Sequence, residues 1–261
     1  MKKQILCGLL AAAALALPAE AARKVPVQVD GQTLSGPCYL ENGVTYAPLR
    51  QLLDTLGGWD LQWDRNTATA AASGSQGETL TADPAADTVT FNGKTLSGVV
   101  YVEAGRTYVP LRLTVELMGG TAAWDPYFQG AAVTSASAAY DAGDLYWLSR
   151  IISAESRGEP MEGQIAVGNV VLNRVESDDF PDAIQDVIFD QVDGIQFEPV
   201  GNGTVYQDPA AGSVEAAMRV LNGEEALRGA MFFYAPALSP GTWINENRTY
   251  LTTIGCHRFY L

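Results

Sequence analysis

The first half of the chain repeats itself, and that repeat limits the possible folds more than any other feature. Thr33-Leu34-Ser35-Gly36 returns as Thr95-Leu96-Ser97-Gly98, Thr45-Tyr46-Ala47-Pro48-Leu49-Arg50 returns as Thr107-Tyr108-Val109-Pro110-Leu111-Arg112, and Gly57-Gly58 returns as Gly119-Gly120, each 62 residues on. Trp63-Asp64 comes back one residue early as Trp124-Asp125, which marks a one-residue deletion in a loop. Self-similarity at such a period means one supersecondary unit used twice, each copy burying its apolar face against the other.

Within a unit, alternating Val25, Val27, Val29 and Val89, Phe91 predict strands, and Asp30-Gly31 and Asn92-Gly93 predict hairpin turns. Pro48 and Pro110 suit the first position of a helix, where a missing N–H costs nothing; Leu49, Leu52, Leu53 and Leu56 then form one apolar face, and the Gly-Gly pair ends it. Two units of strands, short helix and a strand ending at Trp-Asp make one small α+β domain over residues 23–134. The Ala-, Ser- and Gly-rich stretch 135–143 reads as a linker.

From Asp144 the period becomes helical. Leu145, Leu148, Ile151 and Ile152 share a face, and Glu155, four residues after Ile151, continues it toward the core. Arg157-Gly158 breaks this helix. A second is expected from about Pro160 to Val175, a third from Pro181 to Ile188, and another from Ser213 to Leu221 with Asn222-Gly223 as its stop. The end turns to strands at Met231–Tyr234, Thr249–Ile254 and His257–Leu261. The fold class is therefore α+β: the two-unit domain, then a mostly helical domain with a short β region at 144–261.

Residues 1–21 read as a secretory signal peptide, with Lys2 and Lys3, an apolar segment from Ile5 to Leu17, and Ala19-Glu20-Ala21. A membrane anchor is the other reading, but the apolar segment is short for a span of roughly 20 residues. No membrane insertion is expected after cleavage. Cys7 leaves with the leader, and Cys38 and Cys256 lie in different halves, so two unpaired thiols are expected. The formal net charge is −14, and −15 without Lys2, Lys3 and Glu20. Such a chain repels nucleic acid and anionic lipid, so no nucleic-acid partner is expected.

A carboxylate on the buried side of a helix has two readings. It can pair with Arg157 or Arg174, or it can be a general acid whose apolar surroundings keep its proton near neutral pH. Glu159, beside Pro160, reads as a partner of Arg157 or of the following helix N-terminus. His257 follows Cys256 in a strand-like segment, so the two side chains point to opposite faces, against a Cys-His nucleophilic pair.

Two family resemblances add to this. The doubled "TY-x-PLR … GG … WD" resembles the copper amine oxidase N-terminal-like, or stalk, domain. It brings no copper site, because the chain's one histidine, His257, lies in the other half. Ala154–Val175, "AESRGEPMEGQIAVGNVVLNRV", followed by "GIQFEPV", "FFYAP" and "TIGCHRFYL", resembles the spore-cortex-lytic family of cell-wall hydrolases. That resemblance implies a lysozyme-like helical fold and cleavage of the β-1,4 bond between N-acetylmuramic acid and N-acetylglucosamine in peptidoglycan glycan strands, outside the cell at the wall or spore envelope.

Carried over by position, the family's catalytic glutamate falls on Glu155, its Gln-Phe element on Gln196 and Phe197, and its aromatic-Tyr element on Phe233 and Tyr234. These four would line a sugar groove; for Phe197 and Phe233 ordinary core stays open. Gln164 is expected to reach the groove or a neighbouring helix, and His257 to border the groove or support the fold. A single acid suffices when the substrate's own C6 hydroxyl is the nucleophile, which is lytic transglycosylation without metal or cofactor. Glu198 or Asp193, if close, would permit simple hydrolysis. The rival from another class is a wall-binding spacer that keeps the fold without activity. A metal or cysteine peptidase is disfavoured by the single histidine.

Overall fold

The two repeat units meet on their own signature. In the computed structural model, which describes residues 22–192 and 194–261, strands Val44–Pro48 and Arg106–Pro110 pair antiparallel with Tyr46 opposite Pro110 and Pro48 opposite Tyr108. Exchanging the two copies maps this pairing onto itself, so the repeat is a local two-fold. The signal-like segment and Asp193 lie outside the described residues.

This pair is the middle of a five-stranded sheet completed by Arg23–Val25, Cys38–Glu41 and Tyr101–Glu103. Trp59–Asp64, Thr69–Gly74, Thr79–Asp83, Thr88–Phe91 and Lys94–Ser97 form an antiparallel meander with Trp59–Asp64 at its edge. A third sheet joins Thr121–Asp125, Gly130–Thr134, Val27–Val29 and Gln32–Thr33. Val25, Val27 and Val29 are buried as the alternation predicts, but the strand breaks between Val25 and Val27 at Pro26, so its two pieces serve different sheets. Asp30 and Gly31, like Asn92 and Gly93, have positive φ, as a type I′ hairpin turn requires.

Helices α1 (Leu49–Leu56) and α2 (Leu111–Leu117) follow the two signature strands. Pro48 and Pro110 stand at the cap with extended ψ, one residue earlier than expected, because each also closes its strand. Leu49, Leu52 and Leu53 are fully buried, and Leu56 packs at the edge of the same core. Removing one such side chain costs about 2–5 kcal/mol.

Helix α3 (Ala142–Ser156) packs against α4 (Met161–Val175) and α7 (Ala211–Leu221) around a second core. Asp141 caps α3, its carboxylate accepting from the Gly143 and Asp144 amides at 2.8 and 3.3 Å. The last two residues of the stretch read as linker are thus the first turn of the helix. The shorter helices α5 (Ile184–Ile188), α6 (Glu198–Asn202) and α8 (Thr242–Asn247) surround this core, and strands Phe232–Tyr234, His257–Tyr260 and Tyr250–Ile254 form a small sheet in that order.

The second Trp-Asp motif joins the halves. Asp64 only caps its own turn, accepting from the Asn66 and Thr67 amides. Asp125 does the same for Tyr127 and Phe128, and its other oxygen accepts from the indole N–H of fully buried Trp147 at 2.7 Å. Tyr127 then stacks on Phe189, ring centroids 4.1 Å apart. The first domain is thereby tied to α3, the helix that carries Glu155.

Candidate active site

Glu155 occupies the last turn of α3, where the spacing from Ile151 puts it at the boundary between core and solvent. It is half-buried and lines a cleft of about 1660 Å³. Among the described residues its carboxyl has no hydrogen-bond or ion-pair partner; in particular neither Arg157 nor Arg174 is bound to it. Arg174 donates instead to the Met231 carbonyl at 2.8 Å and to Gln196 Oε1 at 3.4 Å. Burial, and then the negative charge of Glu198, push the Glu155 pKa up to about 7. Near neutral pH a carboxyl so placed holds its proton a large part of the time and can give it to a basic oxygen entering the cleft.

Glu198, at the start of α6, is exposed and lines the same cleft. Asp193, the other carboxylate considered beside it, lies outside the described residues.

Glu159 serves a different end from the one expected. Its Oε2 accepts the Cys256 amide at 2.8 Å, fastening the turn after α3 to the terminal hairpin, and no bond to Arg157 forms. Gly255, at φ +57°, lets this happen: a Cβ there would occupy the space of the Glu159 carboxylate.

Of the groove residues expected from sequence, Gln196, Phe233, Tyr234 and His257 line the cleft with Glu155. Phe233 meets the His257 ring edge-on with centroids 5.4 Å apart. The Tyr234 hydroxyl exchanges hydrogen bonds with Asn245 of α8. His257 is only 6% exposed, its Nδ1 has no partner, and burial lowers its pKa against the opposing pull of Glu159. Cys256 beside it is exposed because it lies in the hairpin turn before the strand that starts at His257, so the strand alternation expected of the two does not apply, and Cys38 and Cys256 are both free thiols.

Phe197 and Gln164 take the other reading left open for each, core for the first and a helix contact for the second. Phe197, 2% exposed, is the N-cap residue of α6 and belongs to the core under the cleft, while Gln196 before it lines the cleft. Gln164 is buried between α4 and α7, its Oε1 accepting the Ser213 hydroxyl at 2.7 Å and its amide donating to the Glu159 carbonyl at 3.1 Å. It steadies the turn that carries Glu159 and does not line the cleft.

Sequence reasoning missed Arg150, Phe232 and Trp243, all of which line the cleft. Arg150, 4% exposed, lies over the Tyr146 ring at 3.6 Å and pairs with exposed Asp208 at 3.1 Å. The four-residue spacing of Tyr146 and Arg150 on α3 was the available signal. Phe232 and Trp243 flank the Arg248 guanidinium at 4.4 and 4.9 Å; Trp243 and Arg248 stand at the two ends of α8, while Phe232 comes from a separate strand that no local pattern ties to them. Among the described residues, no group of three or more His, Cys, Asp or Glu is arranged to hold a metal ion, and no helix is long and apolar enough to cross a membrane.

Two family models match the chain: the Cell Wall Hydrolase family over residues 158–260 and the copper amine oxidase N-terminal domain over residues 28–128. The first match begins three residues after Glu155. The cell wall hydrolase CwlJ of Halalkalibacterium halodurans is 31% identical over 110 residues, covering 40% of this chain and 76% of that protein. The spore cortex-lytic enzymes of Halalkalibacterium halodurans and Bacillus subtilis are 34% and 31% identical over 48% and 50% of this chain. The chain spans only 37% and 42% of the length of those two relatives. Among solved structures, the catalytic domain of the germination-specific lytic transglycosylase SleB from Bacillus anthracis is 32% identical, with a TM-score of 0.43, over 47% of this chain and 98% of that one.

Proposed function

Because the chain belongs to the cell wall hydrolase family, we propose that its second domain cleaves peptidoglycan glycan strands at the β-1,4 bond between N-acetylmuramic acid and N-acetylglucosamine, with Glu155 as the acid. The observation that carries this reading is the placement of that side chain: half-buried, facing an open cleft, and without a partner among the described residues, surroundings that push its pKa up to about 7. The names of the relatives, spore cortex-lytic enzyme and cell wall hydrolase, support the same substrate class.

In this mechanism Glu155 donates its proton to the leaving glycosidic oxygen as the bond to the muramyl anomeric carbon breaks. Positive charge builds on that carbon, the C6 hydroxyl of the same sugar attacks it, and the Glu155 carboxylate takes the hydroxyl proton back. The products are a 1,6-anhydromuramyl end and a new hydroxyl end, and Glu155 is regenerated. Gln196 would hold an acetamido group, and Phe233 and Tyr234 would face the sugar rings. Export to the wall or spore envelope, supported by the character of residues 1–21, belongs to the same proposal.

Glu198 favours a second route in one respect, since a second carboxylate on the cleft can direct water to the anomeric carbon. Incubating the protein with purified sacculi and determining the released ends by mass spectrometry tests both. Anhydro ends support transglycosylation, reducing ends heavier by one water support hydrolysis, and an absence of released muropeptides overturns the enzymatic reading in favour of a wall-binding spacer.

A further inference from the structure

The first domain has a groove of its own, of about 590 Å³, where the edge strand Trp59–Asp64, the start of α1 and the turn between Tyr101–Glu103 and Arg106–Pro110 come together. Trp63 offers an indole 44% exposed. Arg50 and Arg106 line the groove, both exposed and neither in a salt bridge among the described residues, and no acidic side chain lines it, in a chain of net charge −14. Arg50 is held beside the strand by donating to the Leu61 carbonyl at 3.1 Å. Gln51 and Gln62 add amides, the Gln62 Nε2 donating to Asp60 Oδ2 at 3.0 Å and leaving its carbonyl oxygen to the groove, and the Gln51 side-chain oxygen is buried without a donor.

The repeat supplies an internal control. In the second unit Arg112 makes the matching bond to the Ala122 carbonyl at 3.1 Å, and the matching indole, Trp124, still 36% exposed, carries the Arg23 guanidinium over one face at 5.4 Å from its ring centre. One copy of the motif therefore has its aromatic face capped from within the chain. In the other copy no such cap exists among the described residues, and a groove with two cations lies there instead.

We propose that this groove is a second, non-catalytic binding site for an acidic N-acetylated glycan, with a sugar ring on Trp63, a carboxylate between Arg50 and Arg106, and acetamido groups on the glutamine amides. Naming peptidoglycan, whose peptide stems carry carboxylates, as that glycan rests on the function proposed above. Wall polymers carrying phosphate share the anionic chemistry. Two sites on one chain raise the local concentration of the polymer at the cleft without adding any contact to Glu155.

The test measures binding of the full chain, made non-cleaving by Glu155→Gln, to purified sacculi before and after covalently attached phosphate polymers are stripped off. Trp63→Ala and Arg106→Glu, both at exposed side chains, should each weaken binding to stripped sacculi by about tenfold, a part of the roughly 10²- to 10⁴-fold that a tethered second site contributes. Trp63→Phe, which keeps a ring, should recover most of the loss, and unchanged melting temperatures would exclude unfolding as the cause. Equal binding by all variants overturns the proposal, and so does a mutant effect that disappears with the phosphate polymers. Muropeptide release by the unmutated chain is scored separately. Release without any effect at Trp63 or Arg106 sinks the groove alone, while an effect at the groove without release sinks only the catalytic reading.

Discussion

Glu155 and Glu159 stand four residues apart, one in the last turn of α3 and the other in the turn that follows, yet their surroundings differ in kind. Glu159 gives an oxygen to a backbone amide across the chain and is explained by the turn it fastens. Glu155 has no partner among the described residues, loses water to burial and has another carboxylate lining the same cleft. A carboxylate that stabilises the fold is paired; one left unpaired at the edge of a core costs stability, and such costs persist where chemistry needs them. The difference teaches that sequence spacing alone does not distinguish a structural acid from a reactive one, whereas hydrogen-bond accounting does.

The largest expected effect comes from removing the unpaired acid. Glu155→Gln should lower muropeptide release by about 10²- to 10⁴-fold, the usual share of a general acid. The same variant should be more stable than the parent at pH 8. The folded pKa, about 7, lies above the ordinary carboxyl value of 4.5, so the folded state binds more protons than the unfolded one between those values, and stability falls as pH rises through that window. Glutamine removes the penalty, a gain of up to about 3 kcal/mol that vanishes below pH 4.5. Calorimetry at pH 4 and pH 8 checks it, and a destabilised variant at pH 8 would break the contrast.

Removing the paired acid should do the opposite. Glu159→Ala should cost about 1–2 kcal/mol of stability, read from denaturant midpoints, through the lost bond to the Cys256 amide, while release from sacculi remains measurable. Activity lost as completely as in Glu155→Gln would erase the distinction between the two residues. A smaller effect sharpens it: Glu198→Gln removes the negative neighbour and should move the alkaline limb of the pH–activity profile to lower pH, by less than burial has raised it. An unmoved limb would mean that Glu198 acts on the cleft by some other route.

Much of this was legible in the residues because it is local. The 62-residue repeat leads to the two-fold pairing of Tyr46 with Pro110 and Pro48 with Tyr108, and the i, i+4 step from Ile151 brings Glu155 to the edge of the core. What escaped is tertiary. Gln196 and Phe197 are neighbours in the bend before α6, and only the way that bend packs decides that Gln196 reaches the cleft and Phe197 the core. Gln164 has a polar side chain on an amphipathic helix, and only the approach of Ser213 on α7 decides that it is buried and bonded there. Glu159 finds its partner 97 residues away, beyond any local rule. The second Trp-Asp looks like the first, and only the buried Trp147 indole shows that Asp125 has become the tie between the halves.

The most direct measurement is the titration of the Glu155 carboxyl itself, by carbon NMR of glutamate-labelled protein with Glu155→Gln to assign the signal, set beside the pH dependence of muropeptide release. The account predicts that the carboxyl titrates near pH 7 and that release falls as pH rises through the same value. A carboxyl already ionised by pH 5, with release unchanged up to pH 8, would contradict it.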